Sequence, residues 1–200
     1  MIDSLELFKI ILACAQDAAA WKMQLPLFLC SIQLITIPMA AFGKGRFREA
    51  SLDFVAIFGL LGAVLGTYAA GNNYSSYPVL SFDNVISGIT HCISGFSALY
   101  IMISGMTRMH RRNIPITICV LLSFSVAAYA ANIALDYNYM FLMGGDGTPY
   151  DILYKMLDGD PVLYPLGVIG LFLVYIVGFY AVRNAIANTH KKPRFSVHHA

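Results

Sequence analysis

Two residues of this chain, Cys30 and His91, could together carry out nucleophilic chemistry inside a membrane. A cysteine becomes a strong nucleophile when a neighbouring base takes its proton, and histidine is a common base. The two residues lie on different hydrophobic segments, about 8 Å and about 14 Å from the same predicted membrane face at ~1.5 Å per helical residue. Because titratable groups inside a membrane usually serve function, we expect both to belong to one site.

The composition predicts an integral membrane protein. Of the 200 residues, 58% are hydrophobic and 12% are charged, whereas a soluble domain carries about a quarter charged residues. The uncharged stretches are also longer than the core of a soluble protein requires. Membrane lipids are therefore the expected surroundings of most side chains.

Six membrane-spanning helices are predicted, each needing roughly 20 apolar residues. They cover residues 4–22, 25–42, 51–70, 82–105, 114–135 and 162–182, so residues 1–185 form a single all-α transmembrane domain and residues 186–200 form a basic tail. The first span is the weakest, because Glu6, Lys9 and Asp17 interrupt it. The alternative is an interfacial first helix with five spans remaining.

Basic residues predict the orientation of the spans. Clusters of lysine and arginine follow the second, fourth and sixth spans, whereas the segment 144–161 carries four aspartates and one lysine. The positive-inside rule places the basic clusters in the cytoplasm. We therefore expect a multi-pass protein of a bacterial plasma membrane, with both termini cytoplasmic.

Polar side chains gather in the half of the bundle away from the basic clusters. Besides Cys30 and His91, this half contains Asn84, Asn132, Asp136, Asn138 and Tyr139. Polar groups in hydrocarbon usually face the bundle interior or a wet cavity, so we expect an outward-opening pocket in which these residues bind substrate. The alternative is that each merely bridges helices by a hydrogen bond. The half nearer the basic clusters is expected to be poorer in such groups.

A general-base role for His91 requires that its imidazole reach the Cys30 thiol. A third group, such as Asn132 or Asp136, would then orient the imidazole. Cys92 follows His91 directly but points about 100° away around the helix, so it is a poorer partner. Buried Cys14, Cys92 and Cys119 are interpreted as small hydrophobic residues.

The sequence offers no sign of a cofactor, a metal site or a nucleic-acid interface. No cysteine pair has the spacing of a zinc site, and no local histidine motif has the spacing of metal ligands. Phosphate loops and dinucleotide fingerprints are absent as well. Glycines at positions 59, 62 and 66 are interpreted as close-packing residues between membrane helices.

Several stretches resemble a known family of membrane proteins. LPLFLC, ending at Cys30, resembles the LPLHLC signature of the YwaF-type integral membrane proteins, and NIALDYNYMFL, starting at Asn132, resembles their distal segment. FGLLGAVLGTYAAG, from Phe58, resembles their next helix. His91, in ITHCISG, falls where the family places histidine. Phe28 stands where the signature has histidine, and Thr90 where some members have a second one.

That family is similar to the eukaryotic transmembrane protein 164 proteins, which are proposed lipid acyltransferases with a membrane-embedded cysteine and histidine. The resemblance implies a role for Cys30 as nucleophile and for His91 as base. It also implies a lipid substrate, with a small molecule as the alternative. The predicted depth of Cys30 and His91 puts the reaction near the outer leaflet. Asn132, Asn138 and Tyr139 match the amide-rich segment, for which the resemblance implies no role.

Two other functions remain open from the sequence. Six short helices with an outward polar pocket also suit the solute-binding membrane component of a transporter. A non-catalytic membrane protein in a larger complex, with partner proteins unknown, is the other alternative. Acyl transfer or hydrolysis by Cys30 and His91 is the hypothesis that the residues favour.

Overall fold

The structure is a computed structural model that describes residues 2–16, 21–22, 25–68 and 80–189. It confirms an all-α fold, because these ranges contain seven α-helices and no strand. In chain order the helices are α1 (Ile2–Gln16), α2 (Gln33–Phe42), α3 (Gly45–Tyr68), α4 (Phe82–Ile103), α5 (Ile114–Leu135), α6 (Tyr150–Met156) and α7 (Leu163–Thr189). The predicted tail lies outside these ranges from residue 190 onward, and α7 continues past the predicted boundary at residue 185.

Four of the described helices are long and apolar enough to cross a membrane. They are Gly45–Gly66, Asn84–Ile103, Arg111–Leu135 and Leu163–Ala187. Large apolar side chains on their outer faces are exposed, including Phe96, Val126 and Val174. Such a surface is stable in lipid but not in water, so the chain is a multi-pass membrane protein. The predicted count of six spans and their orientation stay predictions.

The second predicted span differs from the expected continuous helix. Residues 25–32 form consecutive turns, and regular helix begins only at Gln33. Within the turns, the N–H of Ser31 donates to the carbonyl of Phe28 at 2.9 Å, and the N–H of Gln33 donates to that of Cys30 at 3.2 Å. Pro26 contributes to the irregularity because it lacks an N–H group. Cys30 therefore lies in a turn rather than on a regular helix.

The basic loops meet at one end of the bundle, as the sequence predicts for successive antiparallel spans. A guanidinium nitrogen of Arg46, at the start of α3, donates to the backbone carbonyl of Arg112 at 2.8 Å. Arg112 in turn forms a 3.1 Å ion pair with Glu49. We call this the basic end. It consists of the α2–α3 connection and the α4–α5 connection.

Helices α3 and α4 approach closely through small residues. A Cβ built at Gly59 would lie 2.8 Å from the carbonyl oxygen of Ser94, and one at Gly95 would lie 2.6 Å from the Cβ of Ala63. Neither position has room for a side chain, so the predicted packing role of Gly59 agrees with this geometry. The close approach brings the half of α4 that carries His91 directly against α3.

An aromatic core joins α3 to α7. Phe58 contacts Phe172 edge-to-face, with ring centroids 6.2 Å apart, and Tyr175 at 6.0 Å. Phe54 packs against Phe58 one turn earlier, at 4.6 Å. Because α3 contacts α2 and α4 on one side and α5 and α7 on the other, it is the central helix of the bundle.

Candidate functional site

Cys30 is partly buried in the turn that precedes α2. The side chain of Ser31 and the backbone groups of Cys30 and Ser31 interact with the thiol. The charge of Lys9, on α1, also acts on it. Burial is nevertheless the largest influence on the sulfur and favours the neutral thiol, so formation of a thiolate requires a neighbouring base.

The imidazole of His91 lies against the backbone of α3 at Gly66, where a residue with a side chain would collide with the ring. A Cβ built at Gly66 would lie 2.5 Å from the imidazole Nε2 and 2.6 Å from Nδ1. Such distances are too short for any side chain, so the ring occupies the space that a residue other than glycine would fill. Gly66 is therefore a positioning residue for the imidazole, in addition to its predicted packing role.

Gly62, one turn before Gly66, faces both His91 and Cys30. A Cβ built at Gly62 would be 3.9 Å from the imidazole Nδ1 and 4.0 Å from the Cβ of Cys30. One point on α3 is thus in van der Waals contact with both residues. The structure therefore brings Cys30 and His91 to the same stretch of α3, against one glycine.

Phe28 connects the Cys30 turn to the segment that follows α5. Its ring contacts that of Tyr139 edge-to-face, with centroids 5.4 Å apart, and those of Tyr137 and Phe141 at 6.2 and 6.4 Å. Tyr139 also donates a hydrogen bond from its hydroxyl to the backbone carbonyl of Lys22. The segment 137–141 therefore supports the Cys30 turn from the side.

Asn132 fixes this supporting segment through its side chain. The N–H of Tyr139 donates to Asn132 Oδ1 at 2.6 Å, and Asn132 Nδ2 donates to the Tyr139 carbonyl at 3.1 Å. Asn132 is fully buried. Its amide replaces a backbone partner for Tyr139, so its observed contacts are structural, whereas its role in binding substrate stays a prediction.

Three further predicted site residues lie apart from one another in the half of the bundle that contains Cys30 and His91. Asn138 braces the loop after α5, because its Nδ2 donates to the Gly144 carbonyl and to an Asp146 oxygen, at 2.9 and 2.8 Å. Asp136 is exposed in a left-handed conformation at the end of α5. Asn84 is buried in the first turn of α4, two turns before His91. Their roles in binding substrate stay predictions.

A buried polar cluster lies near the basic end, where the sequence had suggested few polar groups. Asp53 of α3 is fully buried and accepts three hydrogen bonds. The donors are the Thr107 hydroxyl, the Asn113 amide at 2.9 Å and the Tyr180 hydroxyl at 2.7 Å. Thr117 extends the cluster, since its hydroxyl lies 3.1 Å from that of Tyr180. We call this group the Asp53 cluster.

A signal for the Asp53 cluster was present in the sequence. Asp53 interrupts the predicted third span, and a carboxylate within a span indicates a function or a specific partner. Its partners could not be identified from the pattern, because they lie 54 to 127 residues away along the chain. The expectation of a polar-poor half at this end was therefore wrong.

Comparison with known proteins places the chain in a family. The model described as the TMEM164 family matches residues 1–187. No curated protein matches the chain, and no solved structure matches it. Within the ranges that the structure describes, no group of three His, Cys, Asp or Glu side chains could hold a metal ion.

Proposed function

Because the chain belongs to the TMEM164 family of membrane proteins, whose model covers residues 1–187, we propose that it is an intramembrane thiol acyltransferase or hydrolase. Cys30 would be the nucleophile and His91 the general base. The substrate would be an acyl ester of a membrane lipid, and the acceptor of the acyl group a lysolipid or water.

One observation carries this proposal, namely the shared contact of Cys30 and His91 with Gly62. An imidazole activates a thiol only when it lies near enough to take its proton, directly or through one water molecule. Glycine at position 62 places no side-chain atoms against either residue. A larger residue at this position would fill the space in which the proton must move.

The proposed reaction has two steps. In the first, His91 takes the thiol proton, and the Cys30 sulfur attacks the carbonyl carbon of the ester. The carbon–oxygen bond of the ester then breaks, and the imidazolium returns the proton to the departing lysolipid oxygen. The product is a thioester on Cys30.

In the second step, the acceptor hydroxyl or water gives its proton to His91 as its oxygen attacks the thioester carbonyl. The carbon–sulfur bond breaks, a new ester or a free acid forms, and the sulfur regains the proton. The Ser31 hydroxyl and the backbone groups around the sulfur support this chemistry, because they interact with the atom that carries negative charge in each step.

The test is direct detection of the acyl-enzyme in purified protein. A phospholipid with an alkyne-labelled acyl chain should label Cys30 in a bond that hydroxylamine cleaves. Cys30→Ala and His91→Ala should abolish the label, whereas Cys92→Ala, at an exposed position on α4, should retain it.

Labelling that survives in Cys30→Ala would refute the proposal. A protein without an acyl-enzyme that retains a small solute through detergent extraction would favour the solute-binding alternative. An inert Cys30 with no retained ligand would favour a non-catalytic membrane protein.

A further inference from the structure

Helices α2, α3 and α5 enclose a groove of about 410 Å³. The groove lies below the Cys30 turn and extends toward the basic end. Of its lining residues, Thr36 and Phe124 lie farther from the basic end along their helices, and Phe47 and Ile116 lie nearer to it. Its volume is within the range of about 300–1,000 Å³ that is usual for ligand clefts. We call it the α2–α5 groove.

The walls and surroundings of the groove indicate the chemistry of its occupant. The walls are mostly apolar, and both α3 and α5 are candidate membrane spans. Rim residues are exposed at the surface of the bundle, among them Ile35 at 40% and Phe47 at 66%. An apolar groove that opens sideways within the hydrocarbon depth of a membrane is accessible to lipid chains, whereas a hydrophilic solute would have to cross lipid to reach it.

Gln33 supplies a polar group beside the part of the groove that lies farther from the basic end. The residue is 1% exposed, and its Nε2 has no hydrogen-bond partner among the described residues. The hydroxyl of Thr36, a residue of the groove wall, donates to Gln33 Oε1 at 3.2 Å. The same hydroxyl lies 3.2 Å from the Ile32 carbonyl. With the amide in this orientation, the two Nε2 protons have no acceptor among the described residues.

An unused buried donor is costly unless a ligand accepts its hydrogen bond. The ligand would be apolar along its length and carry an acceptor without a donor at one end. The ester of a fatty acyl chain has both properties. A free sugar, amine or peptide would instead place polar groups along the apolar walls.

We propose that the α2–α5 groove holds the acyl chain of the membrane glycerolipid ester that Cys30 attacks, with Gln33 Nε2 donating to the ester carbonyl oxygen. This inference rests on the proposed acyl transfer. Gln33 is one turn from the nucleophile, and its N–H donates to the Cys30 carbonyl at 3.2 Å. The acyl chain then runs from the Cys30 turn toward the basic end.

The position of the lipid acyl chain is tested in a Cys30→Ala variant, in which Cys30 cannot be acylated. A phospholipid with a photoactivatable group in its acyl chain is crosslinked, and the modified residues are identified by mass spectrometry. Crosslinks should fall on Met39, Phe47, Ile116 or Cys119. Cys119→Trp and Ser123→Trp, which fill the groove, should each abolish these crosslinks in protein that remains folded by thermal unfolding.

Val126→Trp is the matched control, since Val126 is 69% exposed on the same helix and does not line the groove. It should leave the crosslinks unchanged. Crosslinks that lie elsewhere, or that both groove-filling variants leave intact, would overturn the assignment. Crosslinks in the groove of a protein that never forms an acyl-enzyme would uphold the lipid site and refute the proposed function.

The Gln33 contact is tested by comparing two reagents on Cys30. Gln33→Met should slow acylation by an ester probe by about a hundredfold, the usual effect of losing one oxyanion donor. Reaction with methyl methanethiosulfonate, which has no carbonyl group, should stay unchanged, as should the photocrosslinks. Equal slowing of both reagents would mean that Gln33 acts only on the thiol or on the fold, and would overturn its assigned contact with the carbonyl.

Discussion

The imidazole of His91 lies against Gly66 so closely that a Cβ at that position would be 2.6 Å from Nδ1. The position of the proposed base on α4 is thus determined by the absence of a side chain on α3. Two consecutive helices, α3 and α4, meet at the candidate site through this contact. A substitution at Gly66 should therefore change the activity by moving the imidazole of His91.

Gly66→Ala should displace the His91 ring while leaving the bundle assembled. A misplacement of ~1 Å can cost about a hundredfold in rate, so acyl-enzyme formation should fall by about that factor. The measurement is the rate of Cys30 acylation in purified protein. Gly88→Ala is the control, because Gly88 lies three residues before His91 and a Cβ there meets nothing within 4 Å. Equal rates in the two variants would contradict the positioning role.

Phe28→Ala should weaken the support of the Cys30 turn. The change removes the ring contacts to Tyr137, Tyr139 and Phe141. Removal of a fully buried phenylalanine ring costs about 3–5 kcal/mol, and removal of the partly buried Phe28 ring should cost less. We expect a lower unfolding temperature and slower acylation of Cys30. Phe96→Ala, at a 69% exposed position on α4, should change neither. An unchanged Phe28→Ala protein would show that the aromatic contacts do not support the turn.

The Asp53 cluster should contribute strongly to stability. Asp53→Leu leaves three buried donors without their acceptor, and even one unsatisfied buried group costs about 1–3 kcal/mol. The variant should unfold at a much lower temperature in detergent. Tyr180→Phe removes one hydrogen bond and should have a smaller effect.

A double-mutant cycle between these two positions should show a coupling energy of about 1 kcal/mol or more, as is typical of residues in direct contact. Additive effects would mean that the hydrogen bond between Tyr180 and Asp53 contributes nothing. The cycle separates this bond from the general cost of changing a buried residue.

Asp160 should stabilise the start of α7 in a pH-dependent way. Its carboxylate accepts the N–H groups of Val162 and Leu163, both at 2.8 Å. These bonds hold the pKa of the Asp160 carboxyl below its ordinary value. Stabilisation is therefore complete above the ordinary pKa of an aspartate and is lost as the pH falls through the lowered one.

The check is the difference in unfolding temperature between the wild-type protein and Asp160→Ala. It should be largest near neutral pH and shrink under acidic conditions. Asp158→Asn is the control, because Asp158 is exposed in the same loop and asparagine tolerates its left-handed backbone. A difference that stays constant with pH would contradict the role of the carboxylate charge.

The sequence predicts the membrane class, the all-α fold and the half of the bundle in which Cys30 and His91 lie, because these depend on hydrophobic lengths and on depth along each helix. It does not predict that residues 25–32 form turns or that Asn132 binds the backbone of Tyr139. Those features depend on which helices are neighbours in the bundle. The pattern of hydrophobic residues along one sequence does not contain that information. For the same reason the partners of Asp53 were found only in the structure.

The order of synthesis gives the Asp53 cluster a further consequence. Asp53 enters the membrane with α3, whereas its partners follow much later, and Tyr180 is 127 residues further along the chain. A nascent chain that ends before α7 carries a buried carboxylate with an incomplete set of donors, which is unfavourable in lipid. Arrival of the last helix completes the set. Quality control by membrane proteases could therefore distinguish finished molecules from truncated ones at this single carboxylate.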